Sequence, residues 1–229
     1  ILLEAKESTR LPLQLRILDA TNGVVLIKDM PLQISGVEDM FRHKNFRNEI
    51  GGTETVTERP GIPDNYPDEL CNDKYFLFAL GFIVGEQEAR GGQAEVFKRL
   101  FWSGSKAKYV GITWYGDKPG GGGSLPANLC YHLNVQNAFL TASNVANYIN
   151  TLSGEIIVAG HSLGNMVLSS AIQDYGANVD YYYMIDAAVA SEAYDGSMED
   201  LATMVHPDWD SYSNRLWASE WHGLFEAGD

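Results

Sequence analysis

Gly160-His161-Ser162-Leu163-Gly164 is the segment of this 229-residue chain best suited to do chemistry. A serine hydroxyl is a weak nucleophile until a base takes its proton. It also needs donors placed where negative charge develops in the attack. The G-x-S-x-G spacing meets the steric half of that need when a strand runs into it and a helix leaves it. The turn between them is then sharp and strained, and it lifts the hydroxyl above the carboxyl edge of a sheet. Glycines flank such a serine because side chains there would strike neighbouring backbone. Both flanks are present: Glu155-Ile156-Ile157-Val158-Ala159 reads as a β-branched strand, and residues 163–175 as an apolar-periodic helix. A helix starting at Leu163 aims its positive end at the same place, where it favours developing negative charge.

The surrounding elements follow a regular alternation. Tyr75 to Val84 is a continuous apolar run, the pattern of a strand covered on both faces. Glu86 to Trp102 has helical spacing at Ala94, Phe97 and Phe101, with Gly91 and Gly92 weakening its start. Tyr109 to Trp114 is a second strand, and Tyr131 to Leu152 a long helix with apolar residues at Val135, Ala138, Phe139, Ala142, Val145, Ala146 and Ile149. After the Ser162 turn and its helix, Val179 to Ile185 gives a fourth strand. Strand–helix alternation of this kind predicts an α/β fold, a mostly parallel sheet with helices on both faces.

The first part of the chain has another rhythm. Leu11, Leu13, Leu15 and Ile17 alternate with Pro12, Gln14 and Arg16, Asn22-Gly23 is a strong hairpin signal, and Val24-Val25-Leu26-Ile27 follows. Residues 1–50 are therefore expected to be a small β-rich segment, the end of an upstream domain. Residues 51–73, with Pro60, Pro63 and Pro67, are expected to be a linker or surface loop, and residues 74–229 the α/β domain. Because it starts at Ile1, the chain reads as a segment of a longer protein.

Between Lys74 and Val189 the chain resembles the core of the α/β-hydrolase superfamily, in particular its lipase and esterase branches and a bacterial member of them. The resemblance is carried by the G-x-S-x-G segment and by Leu80-Gly81-Phe82 after the first strand. It implies a serine hydrolase cleaving a carboxylic ester or related acyl compound, with Ser162 as nucleophile and the backbone N–H groups of Leu163 and Phe82 as oxyanion donors. Many members carry histidine where this chain has Leu80. Asp186, at the end of the Tyr181–Ile185 strand, matches the acid of pancreatic-type lipases; the competing reading is a structural aspartate.

The base is sought among five histidines. His161 lies inside the turn, while His43 and His132 precede the serine, against the family order. His206 and His222 have the right order, and His222 is the candidate within the chain; no convincing strand leads to it, which points instead to a base beyond Asp229. The resemblance calls for no metal and no organic cofactor, and for a small-molecule or lipid acyl substrate. A non-catalytic binding module of a larger surface protein is the alternative, since the missing histidine and the attached β-rich piece fit it and a fold does not dictate a function.

Composition narrows the partners. Thirty acidic residues against sixteen basic ones give a net charge of −14, which repels phosphate backbones and argues against a nucleic-acid partner. The longest apolar run, Phe76 to Val84, is about half of the ~20 residues a membrane-spanning helix needs. Cys71 and Cys130 permit one disulfide, a slight lean towards an extracellular or cell-surface address, or stand as two unpaired small hydrophobes. Gly120 to Ser124 lacks the Gly-Lys ending of a phosphate loop and reads as a flexible loop. Asp208-Trp209-Asp210 lacks the Gly and Glu of a calcium loop and reads as a solvated acidic face. Trp114-Tyr115-Gly116-Asp117 ends a strand beside the serine, either lining a substrate pocket or closing the strand.

Overall fold

The structure, a computed structural model, describes residues 9–32, 34–52 and 57–189. Five strands form one parallel sheet: β3 (Arg42–Asn45), β4 (Lys74–Ala79), β5 (Lys108–Thr113), β6 (Glu155–His161) and β7 (Tyr181–Ile185), in the order β3-β5-β4-β6-β7. Helices α1 (Glu86–Trp102), α2 (Tyr131–Ile149) and α3 (Gly164–Gln173) connect the last four strands. A separate antiparallel hairpin comprises β1 (Leu13–Leu18) and β2 (Val24–Met30). The α/β architecture and the β-hairpin near the start of the chain are thus as the periodicities predict.

Alternation along the strands distributes side chains to two cores. Tyr75, Leu77 and Ala79 of β4 join Val110, Ile112 and Val158 under α2 and α3, against Val135, Val145, Ile149, Val167 and Leu168. Phe76 and Phe78 point the other way, where Phe78 meets Phe41, Tyr109 and Ala159 beneath Ala94 and Phe97 of α1. This double cover explains the unbroken apolar run in the sequence, since each fully buried aliphatic side chain contributes about 1.5–3 kcal/mol. Polar Gln93 of α1 shares this core: wholly buried, it donates from Nε2 to the carbonyls of Phe78 and Ile112, both at 3.0 Å, and accepts from the Tyr109 hydroxyl at 2.5 Å. Gly111 makes this bridge sterically allowed, because a Cβ there would come within 2.8 Å of the Gln93 side chain. Burial raises the Tyr109 phenol well above its ordinary pKa, so it stays a neutral donor.

Some boundaries differ from the expectation. The run from Tyr75 to Val84 yields a strand only as far as Ala79; residues 80–85 turn across the sheet edge, with Ile83 in the left-handed region at φ 59°. The turn is held by the Trp114 indole N–H donating to the Leu80 carbonyl at 2.7 Å and by Ile83 N–H donating to the Gly116 carbonyl at 2.9 Å. The edge strand β3 comes from before residue 50, so the sheet draws on chain from both sides of the 51–73 stretch. Within that stretch Tyr66 is buried, with its ring 5.3 Å from that of Phe101. Cys71 and Cys130 are both free thiols. Among the described residues no helix is long and apolar enough to cross a membrane.

Candidate active site

The strand order creates a crevice. From β4 the chain passes through α1 to β5 on one side; from β5 it returns through α2, past β4, to β6 on the other. The loops leaving β4 and β6 therefore diverge to opposite faces of the sheet, and the gap between them is where ligands bind in open α/β sheets. Ser162 follows β6 at this gap, and Leu80-Gly81-Phe82 follows β4 directly across it.

Ser162 sits at φ 50°, in the left-handed region. For an L-residue that conformation costs on the order of 1–3 kcal/mol and persists only where the surroundings impose it. Three glycines make the turn geometrically allowed. A Cβ on Gly164 would lie 2.5 Å from the Ala79 carbonyl oxygen and 2.6 Å from that of Leu80, and one on Gly160 would lie 2.7 Å from Asn165 Oδ1. A Cβ on Gly81 would come within 2.8 Å of Ser162 Cβ and 3.3 Å of its Oγ. The hydroxyl thus faces the Gly81 loop at van der Waals range, and α3 begins immediately behind it.

Two backbone N–H groups adjoin this contact along the chain: that of Leu163, the residue after Ser162, and that of Phe82, the residue after Gly81. Neither Phe82 N–H nor Leu163 N–H donates a hydrogen bond to a described residue. Donors without a partner among the described residues, one of them at a helix N-terminus, can receive negative charge on a bound ligand. Phe82 is itself held by the Tyr131 ring, edge-on at 5.2 Å.

Asp186 directly follows β7 with φ 45°, a second left-handed L-residue, and is exposed among the described residues. Its turn is tied to the serine turn by Ser162 N–H donating to the Ile185 carbonyl at 3.0 Å and Ala188 N–H donating to the Ser162 carbonyl at 3.1 Å. The structure therefore brings Ser162, Leu163, Phe82 and Asp186 to one end of the sheet. His206 and His222 lie outside the described residues, as does Asp208-Trp209-Asp210. His43 sits on the edge strand, its Nε2 2.7 Å from Thr113 Oγ1; burial is the main cause holding its imidazole below the usual histidine range. His161 is the last residue of β6, half-buried, and His132 lies in the first turn of α2.

The Trp114–Asp117 segment braces the site. Trp114 is buried with its indole committed to Leu80, and Asp117 pairs with Arg47 at 2.7 Å. The Arg47 guanidinium also lies 4.9 Å from the centre of the Tyr115 ring. Asn137 of α2 donates to the Tyr115 carbonyl at 2.8 Å, and Asn134 both donates to Lys118 and accepts from it. Sequence reading missed these buried polar residues. Their one signal is polar side chains, Asn134, Asn137 and Thr141, on the apolar side of an amphipathic helix. No family model matches the chain, and no curated protein matches it significantly.

Proposed function

We propose that the chain is a serine hydrolase with an α/β-hydrolase core, cleaving a carboxylic ester or related acyl compound, a small-molecule or lipid substrate, through an acyl-enzyme on Ser162. The observation that carries this reading is the left-handed Ser162 on a strand-to-helix turn, packed against Gly81, with the N–H groups of Leu163 and Phe82 unpartnered among the described residues. Ser162 Oγ attacks the acyl carbon as its proton passes to a histidine, either His222, with His206 the second choice within the chain, or one beyond Asp229. Asp186 orients that histidine. Leu163 and Phe82 N–H groups receive the oxyanion, each worth on the order of 3 kcal/mol in the transition state. The histidine then returns the proton to the departing alcohol, and water releases the acyl group by the reverse sequence. This chemistry uses no metal and no organic cofactor.

A non-catalytic binding module is the second reading, favoured by Leu80 in the β4 loop and by the exposed Asp186 carboxylate. Fluorophosphonate labelling of the full-length protein separates the two. The hydrolase reading expects covalent labelling that disappears in Ser162→Ala; a fall of at least about 10³-fold in His222→Ala or His206→Ala identifies that residue as the base, and no fall in either assigns the base to a histidine beyond Asp229. Absence of labelling in the wild-type protein would sink it in favour of the binding module.

A further inference from the structure

We propose that Asn165 is the positioning residue of this site, locking the serine turn and the Asp186 turn into one unit; the inference rests on the hydrolase reading above. Two L-residues in the left-handed region stand at the ends of neighbouring strands, and something must hold both. Asn165, the second residue of α3, is fully buried between them. Its side-chain Nδ2 donates to the Ser162 carbonyl at 2.9 Å and lies 3.4 Å from the Ile185 carbonyl, while its backbone N–H donates to the Ser162 carbonyl at 3.1 Å. A single amide group thus spans the carbonyl of the nucleophile and the carbonyl just before Asp186.

The orientation of that amide is fixed from its other end. The Tyr182 hydroxyl on β7 lies 3.0 Å from Asn165 Oδ1 and 3.1 Å from its backbone oxygen, and Ser169 Oγ on α3 lies 3.1 Å from the same hydroxyl. Turning the amide over would set Oδ1 against two carbonyl oxygens, so the donor side must face Ser162 and Ile185. Gly160 completes the arrangement, since any side chain there would meet Asn165 Oδ1. The first glycine of the G-x-S-x-G segment is thereby explained by the residue just past its end. Asn165 touches no reacting atom; it acts by setting where the Ser162 hydroxyl stands relative to the Asp186 carboxylate.

The test compares wild type, Ser162→Ala, Asn165→Asp and Tyr182→Phe in the full-length protein. The readouts are the rate of fluorophosphonate labelling per folded molecule and kcat and KM on a short-chain p-nitrophenyl ester. Asn165→Asp keeps the size and the acceptor but loses both Nδ2 contacts. It is expected to lower the labelling rate and kcat by about 10²-fold, the scale of a 1 Å misplacement, with KM within about twofold of wild type. Tyr182→Phe keeps the Asn165 donors and removes the hydroxyl that holds Oδ1, and is expected to lose about 3- to 10-fold in kcat, again at unchanged KM. A purely structural role would lower the folded fraction and leave the rate per folded molecule alone. Wild-type rates per folded molecule in both variants would overturn the inference while leaving the hydrolase reading intact. If Asn165→Asp does not fold, Tyr182→Phe decides alone. A wild-type protein that does not label, or labels equally as Ser162→Ala, overturns both.

Discussion

The β1–β2 hairpin and the central sheet are written in similar letters and meet opposite fates. β1 alternates Leu13, Leu15 and Ile17 with Gln14 and Arg16, and its register sets those three beside Met30, Lys28 and Leu26 on one face of the ribbon. The polar face is tied across the strands by Gln14 donating to Asp29 at 2.9 Å, and the turn by Asp19 accepting from Thr21 and Gly23. Yet every residue of both strands is exposed, Leu15 by 55% and Ile17 by 50%. In the sheet Leu77, Val110 and Val158 have no exposure at all. Alternation therefore specifies pairing and the side a residue points to, while burial depends on whether another layer arrives. β4 receives layers on both faces; among the described residues the hairpin receives none, and two strands alone are marginal in water.

That difference can be broken by matched truncations. Leu77→Ala is expected to destabilise the fold by about 3 kcal/mol through lost transfer energy and an unfilled cavity. The same truncation at Leu15 should change urea stability by less than about 0.5 kcal/mol, because little contact is removed. Comparable losses at the two positions would show that the hairpin is covered by something other than the described residues. Next in size is Gly164→Ala, whose new Cβ meets the Ala79 and Leu80 carbonyls. Overpacking against rigid backbone is expected to cost about 2 kcal/mol and to reduce Ser162 labelling beyond the loss of folded protein. The smallest effect concerns His43 at the sheet's edge. Its folded-state pKa lies below the ordinary value near 6.5, so the unfolded chain binds the proton more readily. Stability should be full above about pH 6.5 and decline as pH falls from there towards the folded pKa. Urea titrations across that window should show a shallower slope in His43→Gln.

Legibility in the sequence follows the same division. Strands β4 to β7, their helices and the Ser162 turn could be read because each carries a period or a spacing that only one local geometry satisfies. β3 could not. Arg42, His43, Lys44 and Asn45 show no apolar alternation, and they form a strand by pairing with β5 while distant carboxylates neutralise Arg42 and Lys44. Arg42 makes two hydrogen bonds to Asp68, at 2.7 and 2.8 Å, and Lys44 pairs with Glu58 at 2.7 Å. Such partners are separated along the chain and meet only in the folded molecule. Asn165 escaped for a related reason: its bonds run to Ser162, Ile185 and Tyr182, and the last two lie on a strand whose register no local pattern reveals. The strand predicted through Val84 stops at Ala79: Leu80, Phe82 and Ile83 are apolar, but the turn they make depends on Trp114 and Gly116, which follow β5.

The β4–β6 pairing joins Ala79 to Gly160 across two helices and an intervening strand. Closing so long an excursion is entropically expensive before any contact rewards it, and topologies rich in such pairings fold slowly. The Ser162 hydroxyl reaches its place beside Gly81 only when that closure is complete, and its N–H bond to Ile185 also requires β7 to have docked. Neither half of the sheet can hold the serine turn alone. The geometry at Ser162 is accordingly expected to be among the last features to form during folding, since it requires β4, β6 and β7 to have docked together.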